Sequence, residues 1–322
     1  MLGKGVGGLG FALRLINAAS PFEIQDYRTW AEYAPVFPHA LFVAEEAERQ
    51  EIEPDVLGRL LGQAGLYLKG RADYQTALSL YQRAIAIGEK TLDAENPELA
   101  TRYNNLGMLL QDMGDLPNAR IYYDKALAIS EKVYGTDHPN VAIHYNNLGL
   151  LLKTMGDLPN ARIYYEKALA IWEKALGLEH TQVAIGYNNL GMLLQDLGDL
   201  TNARIYYDKA LAIDEKVYGT DHPNVGRDYN NLGGLLYTFG DLTNARIYFE
   251  RSIAIWEKAL GLEHTQVAIS YNNLGGLLKA LGNLSEAKIY FQKALKILQE
   301  KLGENHPYTQ IVRRGLAGLE ET

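Results

Sequence analysis

Along most of the chain, apolar residues recur three and four positions apart. In "PELATRYNNLGMLLQDMGD", Leu99, Ala100, Tyr103, Leu106, Gly107 and Leu110 form one stripe, the spacing of an amphipathic helix. Pro97 stands where a first-turn proline costs nothing, and Gly114 supplies a left-handed end. "DLPNARIYYDKALAISEKVYG" follows with a second stripe of Ala119, Tyr123, Ala126 and Ile129, opened by Asp115 as N-cap and stopped by Gly135. Arg120 and Asp124 form an exposed i,i+4 pair. Two helices joined so tightly pack as an antiparallel hairpin. Gly107 is expected to face Ala119, small against small.

"YNNLG" begins at Tyr103, Tyr145, Tyr187, Tyr229 and Tyr271, a fixed period of 42. The register extends back through Gly65, Leu68, Asp73, Tyr74, Ala77, Tyr81 and Ala84, and forward to Arg313–Ala317. It predicts six hairpins near 55–96, 97–138, 139–180, 181–222, 223–264 and 265–306, then a capping helix over 307–320. Residues 103–144 match 187–228 at 36 of 42 positions but match 145–186 at only 30, so a two-hairpin block was duplicated. Such a chain buries its apolar stripes by stacking module on module. Residues 1–54 stand outside the register and read as a helical cap or connector. Its two short helices are broken at Pro35 and Pro38, the second with Leu41, Ala44 and Ala47 inward.

The recurring set Tyr103, Leu106, Gly107, Gly114, Asp115, Leu116, Ala119, Tyr123 and Ala126 resembles the tetratricopeptide repeat. The usual repeat is about 34 residues, and the extra eight here lengthen the second helix. This long form, with "DHPNVA" between repeats and "NNL" in the first helix, is similar to that of kinesin light chains. It is also similar to the sensor regions of prokaryotic STAND/NB-ARC signalling NTPases. The resemblance implies an all-α, right-handed superhelical solenoid with a concave groove, a non-enzymatic scaffold or sensor, and a cytoplasmic setting. Its alternative implication is the regulatory fragment of such an NTPase; no Walker P-loop accompanies it in this sequence.

Formal charge is −8 and no lysine-rich face recurs, which argues against a phosphate-backbone binder. No cysteine is present, which excludes disulfides and thiolate metal sites. No apolar run is long enough for a membrane span. "GKGVGG" matches a dinucleotide fingerprint in letters only, without the strand and crossover it needs, and glycine-rich disorder is the expectation there. His138, His180, His222, His264 and His306 each precede a first helix. Equivalent residues of successive hairpins lie too far apart to share a metal, so a pre-cap role is expected. Trp172 and Trp256 are expected to pack between the long helices. No cofactor is implied.

In "YNNLG", the Tyr, Leu and Gly face the partner helix, which leaves both asparagines for the other side of the first helix. An asparagine offers both a donor and an acceptor, matching the unpaired C=O and N–H of an extended peptide. The family resemblance makes the second of each pair a ladder along the groove: Asn105, Asn147, Asn189, Asn231 and Asn273. Asn104, Asn146, Asn188, Asn230 and Asn272 stand beside it, and either row could instead bridge neighbouring repeats. Specificity then rests on positions that vary on the same face: Arg227 in place of Ile143, Ile185 and Ile269, and Lys153, Tyr237 and Lys279 where the others hold Gln. Met108, Leu150 and Met192 give way to Gly234 and Gly276, which opens space beside Tyr237. The expected partner is a protein or peptide in the groove, with self-association a further possibility, and neither nucleic acid nor membrane.

Overall fold

The computed structural model describes residues 3–18 and 33–319. Within them the fold is all-α, fifteen helices with no strand. Helices α1 (Gly3–Ala18) and α2 (Phe37–Arg49) lead into six hairpins. These are α3 (Pro54–Gly70) with α4 (Tyr74–Thr91), α5 (Pro97–Asp112) with α6 (Leu116–Tyr134), and α7 (Pro139–Thr154) with α8 (Leu158–Leu176). Then come α9 (Thr181–Asp196) with α10 (Leu200–Tyr218), α11 (Pro223–Phe239) with α12 (Leu242–Leu260), and α13 (Thr265–Ala280) with α14 (Leu284–Leu302). Helix α15 (Pro307–Ala317) closes the series. The chain divides into two compact units, within 1–148 and within 149–322.

In the first unit α1 packs on α2 and α3, with Leu13 fully buried. The glycine-rich start is therefore helical where disorder was expected, because the helix buries an apolar side chain that a free tail would leave in water. Pro35 lies in the turn before α2, but Pro38 sits in the first turn of α2 and opens that helix instead of breaking it. The buried stripe of α2 is Ala40, Val43, Ala44 and Ala47, with Leu41 at its half-buried edge. The connector-like stretch 19–32 lies outside the described residues.

The hairpins follow from local chemistry. Asp115, Asp157, Asp199 and Asp241 each accept the backbone N–H three residues on, which caps every second helix from α6 to α12. The first helices end at Gly114, Gly156, Gly198, Gly240 and Gly282, all with positive φ. In the first hairpin that left-handed place is held by Ala72, at φ +60°. A Cβ on Gly107 would come within 2.8 Å of the Tyr123 ring. The close approach is thus of helix backbone to aromatic face, not of Gly107 to Ala119. Gly149 meets Tyr165, Gly191 meets Tyr207 and Gly233 meets Phe249 in the same way.

Successive hairpins are tied by the tyrosine of "YNNLG". Tyr103 donates to Glu89 at 2.8 Å, Tyr187 to Glu173 at 2.8 Å and Tyr229 to Glu215 at 2.7 Å, in each case on the preceding second helix. Within each unit the first helices of consecutive hairpins lie side by side, α3 on α5, α9 on α11, and α11 on α13. Among the described residues no helix is long and apolar enough to cross a membrane.

Candidate functional site

The two asparagine rows have different work. Asn104 and Asn188 are buried, and in three pairs the first asparagine accepts from the second asparagine of the next hairpin. Asn147 donates to Asn104 at 2.8 Å, Asn231 to Asn188 at 3.0 Å and Asn273 to Asn230 at 3.0 Å. Of the two expectations for these rows, the first asparagines follow the bridging one. Neighbouring first helices flank the first asparagine, and a buried amide must find its partner there. In the second row Asn147, Asn231 and Asn273 are half-buried, while Asn105 and Asn189 are buried. Asn146 is buried, and Asn272 is half-buried with a long 3.5 Å bond to Asn273.

Behind the first row, the interfaces between hairpins carry pairs that change from copy to copy. Gly88 makes room for Arg102, whose guanidinium donates to the Ala84 carbonyl at 2.8 Å. Ser130 meets His144 Nε2 at 2.9 Å, and His144 Nδ1 meets Asn104 Oδ1 at 3.1 Å. Burial lowers the His144 pKa to about 4, so the ring is neutral. Gly186 makes room for Leu169 and Trp172. Trp172 and Trp256 are both buried, and Trp256 donates to the Pro223 carbonyl at 2.9 Å.

At the matching place in the second unit stand two acids. Asp228 Oδ1 accepts from Asn188 Nδ2 at 2.6 Å and from Arg227 Nε and Nη2 at 3.2 and 3.1 Å. Asp214 Oδ2 accepts from Arg227 Nη2 at 2.9 Å. Asp214 Oδ1 and Asp228 Oδ2 are buried without a donor. Burial, and then the neighbouring Asp228, push the Asp214 pKa up to about 7 against the pull of Arg227. Burial raises Asp228 as well. Asp228 collects more donors than Asp214, so the proton the pair retains belongs on Asp214. Arg227 was expected to read a ligand; it is instead spent on these two acids, which would otherwise bury unpaired charge. The signal for the pair was in the sequence: Asp214 replaces Ser130 and Trp172, and Asp228 replaces His144 and Gly186.

The variable face of the second unit gathers into one pocket of about 360 Å³. Asn230, Asn231, Asn272 and Asn273 line it beside Gly234, Gly276 and Tyr237, with Lys153 paired to Asp196 at 2.7 Å. Its floor is formed by Tyr207, Phe249 and Leu277. Tyr237 is 43 % exposed. A Cβ added at Gly234 or Gly276 would meet nothing within 4 Å. Lys279 is not in this lining; its ammonium donates to the Gly318 carbonyl at 2.7 Å. The histidines are N-caps: His138, His180, His222, His264 and His306 each accept, through Nδ1, the N–H two residues on. No cluster of three metal-binding side chains occurs among the described residues.

The model of the tetratricopeptide repeat matches residues 98–174, 182–258, 229–300 and 266–322, and a second model of the same repeat matches 59–98. The chain belongs to the tetratricopeptide repeat family. Its solenoid of repeats is similar to the crystal structure of BtubC (BKLC) from P. vanneervenii, at 25% identity and a TM-score of 0.52, over 74% of this chain and 94% of that one. A putative kinesin light chain of Podospora anserina with nearly identical repeats matches at 23% identity and a TM-score of 0.50, over 65% and 98%. A Rap protein solved with competence and sporulation factor shares the fold at 17% identity and a TM-score of 0.62, over 91% and 82%. A search of curated protein sequences returns no match.

Proposed function

We propose that this tetratricopeptide protein is a binding scaffold. Its ligand, an extended segment of a protein or peptide, lies across the first helices of the second unit and enters the pocket beside Gly234 and Gly276. Those glycines carry the reading. The earlier copies hold Met108, Leu150 and Met192 at this position. A glycine inside a helix costs about 1 kcal/mol relative to alanine. Neither glycine is needed for close packing, since nothing lies within 4 Å of the Cβ it lacks. What the substitution yields is open volume on a face whose asparagines keep amide groups at the surface. The Rap protein solved with its factor supports ligand binding as a use of this fold.

The test is to restore the residue of the earlier copies, Gly234→Met together with Gly276→Met, and compare partners captured from source-cell lysate. The variant is expected to keep its circular dichroism and melt no lower than the wild type, while losing the partner. Equal capture by both proteins would place binding on another face.

A further inference from the structure

Resting on that reading, we propose that the pocket takes an arginine side chain of the ligand. The argument begins at the buried acid behind it. Asp228 accepts from Asn188 Nδ2 at 2.6 Å, which fixes the orientation of that amide. The Asn188 carbonyl is left to accept from Asn231 Nδ2 at 3.0 Å. Asn231 is in turn oriented, with its Nδ2 toward Asn188 and its carbonyl oxygen turned away from that bond, on the pocket side. One hairpin further, Asn230 Oδ1 accepts from both Ser270, at 3.4 Å, and Asn273 Nδ2, at 3.0 Å. Asn273 then also keeps its carbonyl oxygen for the pocket, engaged only by the 3.5 Å bond from Asn272. The buried groups therefore polarise both amides in the same sense, and the wall they present is one of acceptors.

The other lining groups do not reverse this. The Gln195 amide is occupied on both ends, by Tyr207 at 3.1 Å and Thr238 at 3.4 Å. Lys153 is neutralised by Asp196. A ligand group that satisfies two carbonyl oxygens must be rich in donors. The exposed Tyr237 ring at the rim offers a face for a flat cation. Guanidinium meets both demands, with five N–H donors in a plane that stacks on aromatic rings, whereas an ammonium is a compact and strongly hydrated point charge. The net charge of −8 attracts a basic segment.

Fluorescence anisotropy with labelled nonapeptide pools tests this. Each pool has one fixed central residue, Arg, Lys, Glu, Leu or Trp, among randomised Ala, Gly, Ser and Thr. The Arg pool is expected to bind the full chain at least about tenfold more tightly than the Glu and Leu pools, a 1.4 kcal/mol preference. Gly276→Met should reduce it to their level, and Tyr237→Lys should invert it in favour of Glu. Binding of all pools without a preference for Arg, or an Arg preference that survives Gly276→Met, overturns this inference and leaves the scaffold reading standing. Binding of none of the pools removes both.

Discussion

Replacing Asp214 with asparagine removes one acid from the buried pair and keeps its shape. The wild-type carboxyl titrates near 4 in an unfolded chain and at about 7 in the fold, raised by burial and by Asp228. The folded state therefore binds this proton more tightly than the unfolded state. Its stabilisation is fully present below about pH 4, declines across the interval, and is lost above pH 7. Three units at 1.36 kcal/mol each give a ceiling of about 4 kcal/mol. In Asp214→Asn the carbonyl still accepts from Arg227, and the new amide N–H is a donor for the orphan Asp228 Oδ2. Its own contribution is flat with pH. Urea unfolding followed by tryptophan fluorescence, to which Trp172 and Trp256 of the second unit contribute, gives the comparison from pH 4.5 to 8. The stability of the variant relative to wild type should climb with pH by up to that ceiling. Parallel curves for the two proteins would refute the shared-proton account of Asp214 and Asp228.

The first unit should respond to pH in the opposite sense. Its neutral His144, lowered to about 4, withholds a proton that the unfolded chain takes up near 6.5, so stability falls by up to about 3 kcal/mol from pH 6.5 to 4. In His144→Gln that acid-side loss should vanish from urea midpoints. Ala72→Gly relieves a left-handed alanine and should stabilise the first unit by about 0.5–1 kcal/mol, read as a higher melting midpoint. Gly107→Ala places a methyl group 2.8 Å from the Tyr123 ring and should cost about 1–3 kcal/mol in denaturant melts.

Much of this architecture is legible in the primary structure because it is local. The Asp115 caps, the glycine ends and the 3.6-residue stripes each act within one helix or one turn, and the period of 42 repeats them. The pocket at Gly234 and Gly276 was also readable, since two glycines interrupt a column of Met and Leu. Its lining was less so: Tyr237 and Lys153 join it, while Arg227 and Lys279, expected on the same face, turn to Asp214, Asp228 and the Gly318 carbonyl. Arg227 drew attention as a charge replacing isoleucine. Its use depended on Asp214, thirteen residues away on another helix.

From Pro54 onward the sequence alone determined the helices, their ends, their pairing into hairpins and the membership of the family, all set by short-range periodicity and capping. The tertiary structure alone decided how each asparagine is used. Asn104 and Asn105 are the same residue type one position apart. The rotation of about 100° between them on a helix turns the first toward the neighbouring hairpin. There the carboxylate of Asp228, or the ring of His144, fixes which end of the amide faces inward. Hydrogen-bond direction passes between hairpins through space, from one donor to the next acceptor, and no spacing along the chain encodes it.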